Sequence, residues 1–254
     1  MERLRARHIG AKAGVCLLSV LVASLSWSMT AEAGGDAVQE SAAEAPPAVI
    51  ELAETRELPG VVIFPARGAG PHPLTVLLHG MCGDARRSCS HFAEQVTQTA
   101  NLVCPRASQH CTGGGASWPD AGVAEAVESA VGRAKNALGE AVDDRHGRTL
   151  IGYSLGAYRA LNIAQAGAGK YPRVMLIGAR ISVDGARLTR NGVERLLLCA
   201  GDWDMMHDPM QREAERAQRA GFQARFLGLG PVGHAFTPSF AHYLPLALSW
   251  LSGA

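Results

Sequence analysis

Short apolar runs alternate with segments of helical spacing along most of this chain, and that alternation restricts the fold more than any single residue does. The runs at 61–64, 74–78, 102–104, 149–153, 174–177, 195–199 and 224–227 read as strands, with 48–52 as an edge strand. Between them, 90–100, 122–138, 155–166, 209–220 and 239–251 carry helical spacing, with Pro209 suited to a first turn and Gly221 to a stop. Parallel strands need crossover connections, and strands covered on both sides read as continuous apolar runs. The expectation is an α/β fold: a mostly parallel twisted sheet of about seven or eight strands with helices on both faces. No internal repeat is visible.

The first 47 residues do not join this pattern. Arg3, Arg5, Arg7 and Lys12 precede an apolar run from about Ala13 to Trp27, and Ala31, Glu32, Ala33 follow as an A-x-A site. Residues 1–33 therefore read as a secretory signal peptide and 34–47, rich in Ala, Glu, Gly and Pro, as a flexible leader. A membrane anchor is the competing reading, but the run is short and broken by Ser19, Ser24, Ser26 and Ser28. Cys16 sits in a poor lipidation context, because Ala13, Gly14 and Val15 precede it and the apolar run continues past it. Cleavage near Ala33 would export the chain to a periplasmic or extracellular space.

The signal carries four cationic and two anionic side chains, so its removal takes the net charge from +1 to −1. No electrostatic case for nucleic acid survives. The remaining residues 48–254 suit a single domain with a full core.

Export makes disulfides the default for Cys82, Cys89, Cys104 and Cys111. Pairing Cys82 with Cys89 and Cys104 with Cys111 would staple two short loops, but four cysteines allow three connectivities and spacing does not choose among them. Cys199, inside an apolar run, reads as a buried free thiol. A metal site built from Cys104, His110 and Cys111 with Cys82, Cys89 or His91 lacks any zinc-binding spacing, so no metal is expected.

Gly152, Tyr153, Ser154, Leu155 and Gly156 form a G-x-S-x-G pentapeptide where a strand run meets a helical segment. With 29 glycines in the chain the pattern alone is weak. Its context gives it meaning, because a nucleophile elbow needs a strand before it, a helix after it, and an acid and then a histidine further on. The run 195–200 ends in Gly201, Asp202, Trp203 and Asp204, and the run 224–229 ends in a loop reaching Gly233 and His234.

Serine hydroxyl needs a base, and imidazole needs an acid to fix its tautomer, so Ser154, His234 and Asp204 are the expected catalytic residues. Asp204 is preferred to Asp202 because it has more chain in which to curl back towards the histidine loop. Asp202 then reads as a turn former. His207 follows this acid loop closely and is expected to line the pocket or hold the carboxylate. Oxyanion donors are expected from the backbone of Leu155 and Met81, the latter in His79-Gly80-Met81-Cys82-Gly83, with Gly80 allowing the turn and His79 packed beneath. Gly113, Gly114 and Gly115 lack the Gly-Lys-Ser/Thr of a phosphate loop and read as a mobile loop over the strands' carboxyl edge.

With LLHGMCG at 77–83, IGYSLGA at 151–157, GDWD at 201–204 and GH at 233–234, the chain resembles the α/β-hydrolase superfamily. It looks most similar to the compact carboxylesterase and dienelactone-hydrolase-like branches, since 177–195 leaves no room for a cap domain. Dienelactone hydrolases use cysteine where this chain has Ser154, so their particular reaction is not implied. Without a cap, 105–119 must shape the pocket, with Trp118 as an aromatic wall. The resemblance implies a cofactor-free serine hydrolase cleaving small-molecule or polymer carboxylic esters through an acyl-enzyme. A serine peptidase or amidase using the same triad and a non-catalytic binding protein on the same fold are the alternatives.

Overall fold

A computed structural model describes residues 48–253, so the expected signal 1–33 and leader 34–47 lie outside the described residues. In chain order the elements are β1 Ile50–Leu52, β2 Val61–Phe64, β3 Leu74–Leu78, α1 Ala85–Val96, β4 Asn101–Pro105, β5 Gln109–His110, β6 Ala116–Ser117 and α2 Val123–Leu138. After a single 3-10 turn come β7 Thr149–Tyr153, α3 Leu155–Ala164, β8 Arg173–Ile177, α4 Gly185–Arg190, β9 Arg195–Ala200, α5 His207–Arg219, β10 Ala224–Gly228 and α6 Phe240–Ser252.

Eight strands form one sheet in the order β1-β2-β4-β3-β7-β8-β9-β10. From β4 to β10 every pairing is parallel, whereas β1 with β2 and β2 with β4 are antiparallel. The inner strands are buried on both faces, and their period of two sends alternate side chains into two different cores. Val174 and Leu176 of β8 and Leu196 and Leu198 of β9 face the core under α2, α3 and α5. Met175, Ile177, Leu197 and Cys199 face the core under α1 and α6, with Phe92 and Phe240 at its centre. This is the expected α/β sheet with helices on both faces. The 178–194 connection holds only α4, so no cap domain covers the sheet there.

Three elements differ from the sequence expectation. The first helix starts at Ala85, not 90, because the Asp84 side chain accepts from the Arg87 N–H and caps it, while exposed Arg86 and Arg87 hide the apolar spacing. α4 was not expected at all; Asp184 caps it in the same way and it buries only Leu188. The 105–119 segment folds back as the β5–β6 hairpin.

The disulfides also depart from the two-loop pairing. Cys82 is bonded to Cys111 and Cys89 to Cys104, with Cα separations of 5.7 and 6.5 Å. The reason is tertiary: α1 lies on β4, and the hairpin after β4 returns to the turn after β3, so distant cysteines meet. Cys199 is free and fully buried, and burial pushes its thiol well above its ordinary range. Among the described residues no helix is long and apolar enough to cross a membrane.

Candidate active site

The carboxyl edge of the parallel strands gathers four loops. The turn from β7 to α3 is the sharpest, and Ser154 at its apex has φ 52° and ψ −119°, a left-handed conformation that non-glycine residues rarely hold. The pentapeptide glycines permit this. A Cβ on Gly152 would lie 2.5 Å from the Gly156 carbonyl oxygen, and one on Gly156 would lie 2.2 Å from the Leu78 oxygen. Strand, turn and helix can therefore approach only without side chains there.

Ser154 Oγ lies 3.0 Å from His234 Nε2, and His234 Nδ1 lies 2.7 Å from Asp204 Oδ2. The Asp204 side chain is 3% exposed, and its Oδ1 accepts from the Met206 N–H at 2.9 Å. Its charge is thus buried with both oxygens partnered, as a buried carboxylate requires. Asp202 points elsewhere and shares His207 with Asp208. His207 Nδ1 is 3.0 Å from Asp208 and Nε2 is 3.8 Å from Asp202, with the ring edge-on to Phe226. Of its two expected roles, His207 does not take the second, because its ring does not hold the Asp204 carboxylate. Starting α5 directly after the acid loop swings its side chain towards β10 instead.

Trp118 is a second correction. It is buried, its indole N–H donates to the His79 carbonyl oxygen at 2.8 Å, and its ring packs 5.0 Å from the His79 ring. It braces the turn after β3 from behind and forms no exposed wall. His79 is 1% exposed; its Nδ1 faces the Gly80 oxygen at 2.8 Å, and burial lowers its pKa below the ordinary histidine value. In that turn Cys82, not Gly80, takes the left-handed conformation, with φ 50°. Gly80 contributes closeness, since a Cβ there would lie 3.3 Å from the Ser154 Cβ. The next residue is Met81. Among the described residues, neither the Met81 nor the Leu155 N–H takes part in a turn or loop hydrogen bond between backbone groups.

Two residues of the site gave no sequence signal. Tyr153 donates its hydroxyl to the His234 carbonyl oxygen at 2.9 Å, stacks on the His234 ring at 5.2 Å and packs 4.4 Å from Phe236. Gly178, just after β8, lies under Asp204 and His234, where a Cβ would meet His234 Cε1 at 2.8 Å. The apolar run 174–177 announced its strand, but nothing local announced what its end would touch. Among the described residues no group of three or more His, Cys, Asp or Glu side chains is arranged to hold a metal ion.

An eight-stranded, mostly parallel sheet with a serine on a strained turn at its carboxyl edge is the α/β-hydrolase fold, and solved structures share it over most of this chain. Fluorophosphonate-binding serine hydrolase F of Staphylococcus aureus, in a substrate-bound structure, superposes with a TM-score of 0.61 at 14% identity, covering 82% of this chain and 99% of its own. An esterase structure from Rhizomucor miehei gives 0.61 at 16% identity over 82% and 85% of the two chains. Acyl-protein thioesterase 2 of Zea mays gives 0.53 at 18%, covering 75% and 97%. No protein-family model matches the sequence, and no curated protein matches it.

Proposed function

We propose that this protein is an exported serine hydrolase that cleaves carboxylic esters through an acyl-enzyme intermediate. The observation that carries the reading is the unbroken chain of contacts from Ser154 Oγ through both nitrogens of His234 to buried Asp204. Such a relay lets a serine lose its proton as it attacks, with the imidazolium stabilised by the carboxylate behind it. The folds it resembles include proteins described as serine hydrolases and esterases, which favours esters over peptides.

In the reaction, Ser154 Oγ bonds to the ester carbonyl carbon while its proton passes to His234 Nε2. The carbonyl oxygen takes up the negative charge, held by the Met81 and Leu155 N–H groups. Collapse breaks the bond to the alcohol oxygen, which leaves with the proton from Nε2. Water then attacks the acyl-Ser154 carbonyl and gives a proton to Nε2; collapse returns that proton to Ser154. The balance is ester plus water to acid plus alcohol, with no group required beyond these residues. Two disulfides support export, as does the basic-then-apolar start of the sequence.

A fluorophosphonate probe tests this directly, with Ser154→Ala beside Ser239→Ala, whose hydroxyl is engaged with Thr237. Wild type and Ser239→Ala should label and hydrolyse p-nitrophenyl acetate, and Ser154→Ala should do neither. Ester hydrolysis surviving in Ser154→Ala would overturn the assignment, and faster turnover of a matched anilide would reassign the activity to amides.

A further inference from the structure

Six large apolar side chains are exposed among the described residues, and four of them follow the carboxyl ends of sheet strands: Met81 after β3, Tyr158 in the first turn of α3 after β7, and Trp203 and Met205 after β9. Trp203 and Met205 are 74% and 78% exposed although they flank Asp204, one of six buried polar or charged residues among the described residues. The acid turn thus drives its carboxylate inward and both neighbours outward into water. The Trp203 N–H donates to the Val232 oxygen, which fixes this turn beside the His234 loop. On the other side, Met81 follows Gly80, which abuts Ser154. The strands leading to Met81 and to Trp203, β3 and β9, lie three places apart in the sheet, or about 14 Å at the usual strand spacing.

Grouped apolar exposure on one face marks a binding surface. The His234 side chain, in contact with Ser154 Oγ, is 43% exposed. The nucleophile therefore sits between two apolar flanks on an open face. A substrate matching it is apolar on both sides of the scissile bond.

Resting on the esterase reading above, we infer that the substrate is an uncharged, water-insoluble polyester chain, bound across the Met81 to Trp203–Met205 face and cut within its length. Charge decides against insertion into a lipid phase. Asp202 and Asp208 flank the Trp203 to Met205 turn with their side chains 48% and 74% exposed, and sinking those carboxylates into hydrocarbon would strip both of water. A chain laid on the face leaves both hydrated. The chemistry is the one already written: each cut consumes one water and leaves a carboxylic acid end and an alcohol end.

The test compares soluble p-nitrophenyl acetate with suspended polycaprolactone, using wild type, Trp203→Ala/Met205→Ala and Trp203→Phe. The double variant should keep kcat/KM on the soluble ester within about twofold and lose tenfold or more of its release from the polymer, with Trp203→Phe recovering most of it. Equal loss on both substrates would show that only the acid turn was disturbed and would overturn the inference, as would unchanged polymer release. Wild type cleaving emulsified tributyrin but not polycaprolactone would also overturn it and give the face to lipid. Wild type cleaving neither the polymer nor the soluble ester would instead defeat the esterase reading beneath it.

Discussion

At the scale of single residues, His234 is held by more than Asp204. The Tyr153 phenol is kept protonated because burial, and then the Asp204 charge, raise its pKa, so it stays a donor to the His234 carbonyl. In the proposed reaction this makes Tyr153 a positioning residue for the imidazole, held by its hydroxyl contact and its ring stack. Tyr153→Phe keeps the ring stack on His234 and Phe236 but removes that hydrogen bond, a net term of about 1 kcal/mol. If the loss falls on the alignment of His234, kcat should drop roughly threefold to tenfold with KM nearly unchanged. Steady-state kinetics on p-nitrophenyl acetate would check this; a rise in KM alone would place Tyr153 in substrate binding. The pentapeptide revealed Ser154 to sequence reading, but not this partner one residue before it, because a hydroxyl contact to residue 234 has no local signature.

At the scale of elements, the turn after β3 is the part most heavily braced from outside itself. The Trp118 indole holds the His79 carbonyl, Ser117 Oγ accepts from the Cys82 N–H at 3.0 Å, the Ala116 N–H donates to the Gly83 oxygen, and Cys82 is bonded to Cys111. Every brace comes from the β5–β6 hairpin and the residues just after it. Met81 lies between two braced residues, so the position of its N–H depends on a segment about 30 residues away. Replacing Cys82 and Cys111 together by serine should lower kcat on soluble esters about tenfold or more. The Cys89→Ser/Cys104→Ser pair, whose bridge ties α1 to β4 in the core, should cost about 3 kcal/mol of stability and little kcat. Kinetics and denaturant melts on both variants separate the two roles.

At the scale of the whole molecule, His79 ties the fold to pH. It is buried, and its folded-state pKa lies below the ordinary 6.5. As pH falls below about 6.5, the unfolded chain binds this proton while the native state does not, so the unfolded state gains and stability declines. The loss continues until pH reaches the lower native value. Melting temperature should fall between pH 7 and 5, and His79→Asn, which cannot titrate, should flatten that part of the slope. A slope identical to wild type would show that other groups carry it.

The sequence by itself determined the kind of sheet and the order of its chemistry. Apolar period and the serine-acid-histidine order are local or ordinal properties, so seven of the eight sheet strands, the helices on both faces and the triad candidates were legible from spacing, with Ile50–Leu52 read as the edge. The preference for Asp204 over Asp202 rested on how much chain a turn needs, and it is Asp204 that lies 2.7 Å from His234. What only the tertiary structure decided was which side chains meet across elements. Cys82 reaches Cys111, Trp118 turns inward onto His79, His207 turns away from Asp204, and Trp203 and Met205 stay in water. The physical reason is common to all four: burial and pairing depend on how loops from different strands pack at one sheet edge, and no stretch of sequence encodes its distant neighbours.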